Sequence, residues 1–162
     1  MLATKLLIAF LSCVAGTLFG LALSKRLTRR RRYFEELISL INLLESDLRF
    51  KQENISILLD ASTAHSVSKV RTNALEFIAY AGGGGALSVT KHDLTRREFA
   101  VVAEFFQSLG TLDLSTQLFV FDNYRTKLKE FYEAADRAER AMGKSYVKLG
   151  FLMGLAAGIM LL

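Results

Sequence analysis

The residue types that could do acid–base or metal chemistry are few, and their spacing does not suit it. The chain has two histidines, His65 and His92, and one cysteine, Cys13. Neither histidine stands at ligand spacing from a cysteine, aspartate or glutamate, and both fall in stretches that read as loops. Glu35 and Glu36 are adjacent, and adjacent residues do not face each other on a helix. Asp113 could be a buried carboxylate, but its place before a long helical pattern suits a capping role better. The serines have no base to activate them. Gly82 to Gly85 invite a phosphate-loop reading, yet no Gly-Lys-Ser/Thr follows and no strand precedes. The run reads as a loop. No catalytic, metal or cofactor constellation emerges, and a non-enzyme is expected.

The residues with a physical task lie at the two ends. Leu6 to Leu23 carries no charge, about the ~17-residue lower limit of a membrane-crossing helix. Lys25, Arg26, Arg29, Arg30, Arg31 and Arg32 follow at once, and such a cluster favours a cytoplasmic flank. A cleaved signal peptide is the competing reading, and the cluster argues against it. The same charges would hold anionic lipid headgroups, at about 1 kcal/mol each. Nucleic acid is not expected as a partner, because no aromatic platform interleaves with the arginines. A closing apolar run, from about Tyr146 with Lys148 snorkelling, has the length of a second short span. Gly16 and Gly20 in the first run, and Gly150, Gly154 and Gly158 in the last, form faces without side chains. They can pair the two spans as an antiparallel hairpin, or accept helices of other membrane proteins or of a second copy. Both readings stay open on the residues alone.

The elements that must hold these ends are helices. Proline is absent, so nothing in the composition breaks a helix interior. The net charge is +5, but it is local, since the 21 basic residues fall to 15 against 16 acidic ones without the six-residue cluster. From Tyr33 to about Leu59 the apolar spacing is helical, with Phe34, Leu37, Ile41, Leu44 and Leu48 in one stripe and Leu40 and Leu43 widening it. Val67 to Ala81 reads as another helix, through Val70, Ala74, Phe77 and Ile78. Thr95 and Glu98 make a capping box for a helix that ends near Leu109 and Gly110, with Phe99, Val102, Ala103 and Phe106 on one face. The last helix starts near Asp113, and its stripe runs through Phe121, Tyr124, Leu128, Phe131, Ala135, Ala138 and Met142. The fold expected is all-α. Residues 1–24 form an N-terminal transmembrane helix, 25–32 a basic juxtamembrane segment, 33–145 a cytoplasmic helical bundle and 146–162 a C-terminal transmembrane helix.

One arrangement then stands out. Gly16-Thr17 and Gly20 precede the basic flank, Leu109-Gly110 is followed by Asp113 and Gln117, and Gly143-Lys144 by Tyr146 and Gly150. Over essentially the whole chain this resembles the stage III sporulation protein AB family. The family turn reads Leu-Gly-x-Ser-Asp-x-x-Gly-Gln, and here Leu112 and Thr116 replace its serine and second glycine. The run Gly82 to Gly85 is no part of the family pattern. The resemblance implies a mother-cell membrane protein in the channel complex that joins mother cell and forespore. That family is similar to the cytoplasmic helical domain of type II secretion platform proteins. The analogy implies a non-enzymatic platform or adaptor that docks a cytosolic secretion-type ATPase beside other stage III sporulation channel proteins. The alternative reading is a membrane-anchored regulator whose bundle binds a small ligand.

Overall fold

Without proline, apolar residues at three- and four-residue spacing can continue one helix for many turns, and two helices of this chain do so. The structure, a computed structural model, describes residues 2–51, 55–63, 69–81, 93–110 and 113–160. These residues hold five helices and no strand: α1 (Leu2–Lys51), α2 (Ile55–Thr63), α3 (Lys69–Ala81), α4 (Arg96–Ser108) and α5 (Leu114–Met160). The chain is all-α, as its spacing predicts. His65, His92 and the run Gly82 to Gly85 lie outside the described residues.

α1 is longer than either apolar pattern within it. It passes through the arginine cluster unbroken, since arginine and lysine are good helix formers and carry no β-branch to crowd the preceding turn. α5 likewise runs through Gly143 without interruption. One interior glycine costs a helix about 1 kcal/mol, which flanking turns on both sides can absorb. The chain divides into two compact units, one of Met1–Arg31 with Ala134–Leu162 and the other of Arg32–Glu133.

The Arg32–Glu133 unit is built on the stripes. Phe34, Leu37, Leu40, Ile41, Leu44 and Leu48 of α1 are buried, whereas Leu43 is exposed. α2 buries Ile55, Leu58 and Leu59, and α3 buries Val70, Ala74 and Phe77. α3 packs against both α2 and α4. On α5, Phe121, Tyr124 and Leu128 are buried and Phe131 is half-buried. The unexpected core residue is Phe105, fully buried on α4 beside Phe106. Its ring centroid lies 5.3 Å from that of Phe106, 5.5 Å from Tyr124 and 6.1 Å from Phe121, tilted or edge-on in each case. Those arrangements set positive ring edges against negative faces and add to the area term. Phe131 meets Phe34 at 5.7 Å, so α5 also packs on α1.

Several buried polar groups in this unit are paired, although the buried Gln117 Nε2 has no hydrogen-bond partner among the described residues. The Asn73 amide donates to the Tyr33 hydroxyl at 2.8 Å, and both side chains are buried. Burial holds the Tyr33 hydroxyl well above the usual tyrosine range. Glu98 is buried because it closes the capping box: its carboxylate accepts the Thr95 N–H at 2.8 Å, and its own N–H reaches the Thr95 hydroxyl at 3.4 Å. Glu45 of α1 takes Arg49 at 2.9 Å and also pairs with Arg125 of α5.

Candidate functional site

A helix face with glycines four residues apart is a groove in which another backbone can lie. In the unit formed by Met1–Arg31 and Ala134–Leu162, α1 and α5 put two such grooves face to face. A Cβ on Gly16 would strike the Gly150 carbonyl oxygen and stand 2.9 Å from Gly154 Cα. One on Gly150 would strike the Gly16 oxygen and stand 3.1 Å from Gly20 Cα. A Cβ on Gly20 would strike the Tyr146 carbonyl oxygen, and one on Gly154 would stand 2.7 Å from the Ser12 carbonyl oxygen and 2.9 Å from Cys13 Cα. Each turn forward on α1 is matched by a turn back on α5, so the pair is antiparallel and in register. The Ser12 hydroxyl adds a bond across the seam, donating to the Gly154 carbonyl at 3.2 Å. Thr17 donates to the Cys13 carbonyl at 2.8 Å, which satisfies its hydroxyl within α1. Gly158 is buried as well. The structure thus brings Gly16, Gly20, Gly150 and Gly154 together within one chain.

The outer faces of the pair are apolar. Phe10, Leu18, Phe19, Leu152, Met153 and Ile159 are all exposed. Among the described residues, α1 is the one helix whose length and apolarity fit a membrane span, and 6% of that window is buried. Among the described residues α5 does not meet the same test.

Charged groups collar the pair where its apolar runs end. The Arg31 Nε donates to Glu139 Oε2 at 2.6 Å, and the Thr28 hydroxyl to Glu139 Oε1 at 2.8 Å. Arg140 pairs with Asp136 one turn away, at 2.9 Å. Lys25, Arg26, Arg29 and Arg32 are exposed, and Arg30 is half-buried. Of the six clustered cations, Arg31 is thus held by α5. Sequence reasoning missed Thr28 and Glu139. The available signal was spacing, because Glu139 stands one turn before Gly143 on the buried face. Met142, by contrast, was placed on the packing stripe and is 51% exposed. A stripe repeating every seven residues lags an α-helix by about 20° per repeat, so by this turn the buried position has passed from Met142 to Gly143.

Gly110, Asp113 and Gln117 form the corner between α4 and α5. Leu109 ends α4, and Gly110 turns the chain at φ 70°, where a side chain is disfavoured. Asp113 is exposed and caps α5, with Oδ2 accepting the Thr116 N–H at 3.3 Å and the Ser115 hydroxyl. The Ser115 hydroxyl, with Thr116 second, holds the Asp113 carboxyl down at about 2. Gln117 is buried, donates its N–H to the Asp113 carbonyl at 2.8 Å, and accepts the Gly110 N–H on Oε1 at 3.2 Å. The three residues therefore fix a backbone corner, and Asp113 is a cap rather than a buried acid.

No group of three metal-ligating side chains occurs among the described residues. A family model described as stage III sporulation protein AB matches residues 5–81 and 86–162. The positions between the two matched stretches are Gly82 to Gly85. No match is found among curated proteins or solved structures.

Proposed function

This chain belongs to the stage III sporulation protein AB family, and from that premise we propose that it is a non-enzymatic membrane platform of the sporulation channel complex. The helical unit Arg32–Glu133 would dock a cytosolic secretion-type ATPase and other channel proteins of the same stage. The unit made by the ends of α1 and α5 would anchor it in the mother-cell membrane around the forespore. α1 would cross with its N-terminus outside, and the end of α5 would cross back from the same cytoplasmic side, giving two spans. The central unit would then be cytoplasmic.

The observation that carries this reading is the glycine seam. In water, two helices associate by burying apolar faces. Here the apolar side chains point outward while the backbones meet, the arrangement that suits helices solvated by lipid. Basic residues flank both apolar runs on the same side, at Lys25 to Arg32 and at Lys144 and Lys148, as a hairpin with cytoplasmic ends requires. α1 and α5 each contribute to both units as single helices, so an event at a docked partner has a covalent and hydrogen-bonded route to the anchor.

Purifying the full-length chain in mild detergent from sporulating cells tests the proposal. An ATPase of the secretion class should accompany it. Repeated recovery of the chain with membrane proteins alone would remove the docking role. Reporter fusions at the two termini test the topology, and both should report the non-cytoplasmic side.

A further inference from the structure

Within the unit of Met1–Arg31 and Ala134–Leu162, a cleft of about 430 Å³ opens between α1 and α5. That is within the range of small-molecule sites, roughly 300–1,000 Å³. Ser24 and Arg31 line it from α1, and Asp136, Glu139, Arg140 and Lys144 from α5. Gly143 supplies the room, since the nearest atoms to a Cβ there would be Glu139 Cγ and Ser24 Oγ, both at 3.7 Å.

The charges do not cancel. Glu139 is engaged on both oxygens, by Thr28 and Arg31, and Asp136 Oδ2 takes the Arg140 Nε. Each acid is thus matched by one arginine. Lys144 adds an ammonium with three donors, and no carboxylate partner for it occurs among the described residues. An anion in the cleft would meet that ammonium and the Ser24 hydroxyl, with the guanidinium groups beside them. The second Asp136 oxygen remains as an acceptor, suited to a ligand that also carries hydroxyl donors.

Depth decides which anion. Ser24 directly follows Leu23, the last residue of the uncharged run of α1, and Lys144 stands shortly before the closing run of α5. The cleft therefore lies where apolar surface gives way to charge, the level of lipid phosphates. We propose that it is a specific site for the phosphate of an anionic phospholipid with a hydroxylated headgroup, of the phosphatidylglycerol type. The site rests on the membrane-anchored reading above, but it differs from diffuse attraction to the arginine cluster because it assigns unequal weight to individual cations.

The test uses the full-length chain in mild detergent containing phosphatidylglycerol and phosphatidylcholine, with bound lipid counted by native mass spectrometry. One phosphatidylglycerol per chain should be retained in preference to phosphatidylcholine. Lys144→Gln should weaken retention about tenfold or more, as loss of a charge-assisted hydrogen bond does. Lys144→Arg should keep it, Gly143→Leu should abolish it by filling the cleft, and Lys25→Gln, exposed and outside the cleft, should change it about twofold at most. Helix content by circular dichroism confirms that each variant is folded. Equal losses from Lys25→Gln and Lys144→Gln would overturn the site in favour of diffuse attraction. Displacement of the lipid by millimolar glycerol 3-phosphate would overturn it in favour of a soluble phosphate ligand. Extraction of the wild-type chain from membranes by alkaline carbonate would refute the anchored reading itself. Lysine-independent retention in a carbonate-resistant chain would refute the site alone.

Discussion

Gly16 and Gly150 face each other so closely that a Cβ on either would strike the other's carbonyl oxygen. The relationship is reciprocal, and it is made by backbone on both sides. No rotamer change can relieve a side chain introduced there, so the helices themselves would have to part.

The seam therefore distinguishes glycines that look alike in sequence. Gly16→Ala and Gly150→Ala should each destabilise the α1–α5 pair, at the ~1–3 kcal/mol typical of overpacking. Gly143→Ala meets only ordinary contacts at 3.7 Å and gains about 1 kcal/mol of helix propensity, so it should be neutral or stabilising. Thermal unfolding of the three variants in one detergent gives the order, and a Gly143→Ala loss equal to that of Gly16→Ala would contradict the packing.

Gly110 is needed for the opposite reason. Apart from its chain neighbours, no atom of the described residues lies within 4 Å of the place a Cβ would take, but its φ of 70° strains any L-residue. Gly110→Ala should cost about 1–2 kcal/mol although it creates no clash. Gly110→Asn should recover part of that, because asparagine tolerates the left-handed region. Denaturant unfolding of the two variants checks the order.

At the same corner, Asp113 has its carboxyl pKa lowered to about 2 by the Ser115 hydroxyl. A lowered folded pKa means that this cap contributes above the unfolded value of 3.8 and is lost as pH falls from there toward 2. Asp113→Asn, which still caps but does not titrate, should flatten that part of the acid-stability curve. An unchanged acid limb would show that the cap is not coupled to folding.

Tyr33 sets the alkaline limit. Burial raises its pKa above the ordinary tyrosine value of about 10, so below pH ~10 the hydroxyl is neutral in both folded and unfolded states. Above that the unfolded chain ionises first, and stability falls as pH rises toward the folded value. Tyr33→Phe should remove this alkaline decline. It also leaves the buried Asn73 amide without its hydroxyl partner, at about 1–3 kcal/mol near neutral pH. Unfolding from pH 7 to 11 separates the two effects.

Phe105 is the test of the core. Fully buried among Phe106, Phe121 and Tyr124, it should lose about 3–5 kcal/mol as Phe105→Ala. Phe119→Ala, at an exposed position of α5, should change little. Chemical denaturation of both chains makes the comparison, and similar midpoints would contradict the burial pattern.

Some of this was legible in the chain because local chemistry dictates it. Thr95 and Glu98 specify a helix start through their own side chains. Phe34 to Leu48 and Phe121 to Leu128 specify buried stripes, because 3.6-residue periodicity acts within one helix. The run Leu6 to Leu23, followed by Lys25 and its arginines, specifies an apolar segment with a charged end. None of these needs knowledge of a neighbour. The family resemblance was equally legible, since it rests on glycines, Asp113 and Gln117 in order along the chain.

What depended on a neighbour required the tertiary structure. The glycines announced that something comes close, but a missing side chain cannot name its partner. Only the packing of α1 on α5 made Gly16 the counterpart of Gly150, and so closed that face within the chain. The same packing turned Met142 outward in favour of Gly143, because angular drift along a helix becomes decisive only once a second helix fixes which direction is inward. It also paired Arg31 with Glu139, more than a hundred residues away in sequence. Sequence determined which segments are helical, apolar or charged. Tertiary structure decided which of those residues meet, because contact across distant elements is a property of two surfaces and their register.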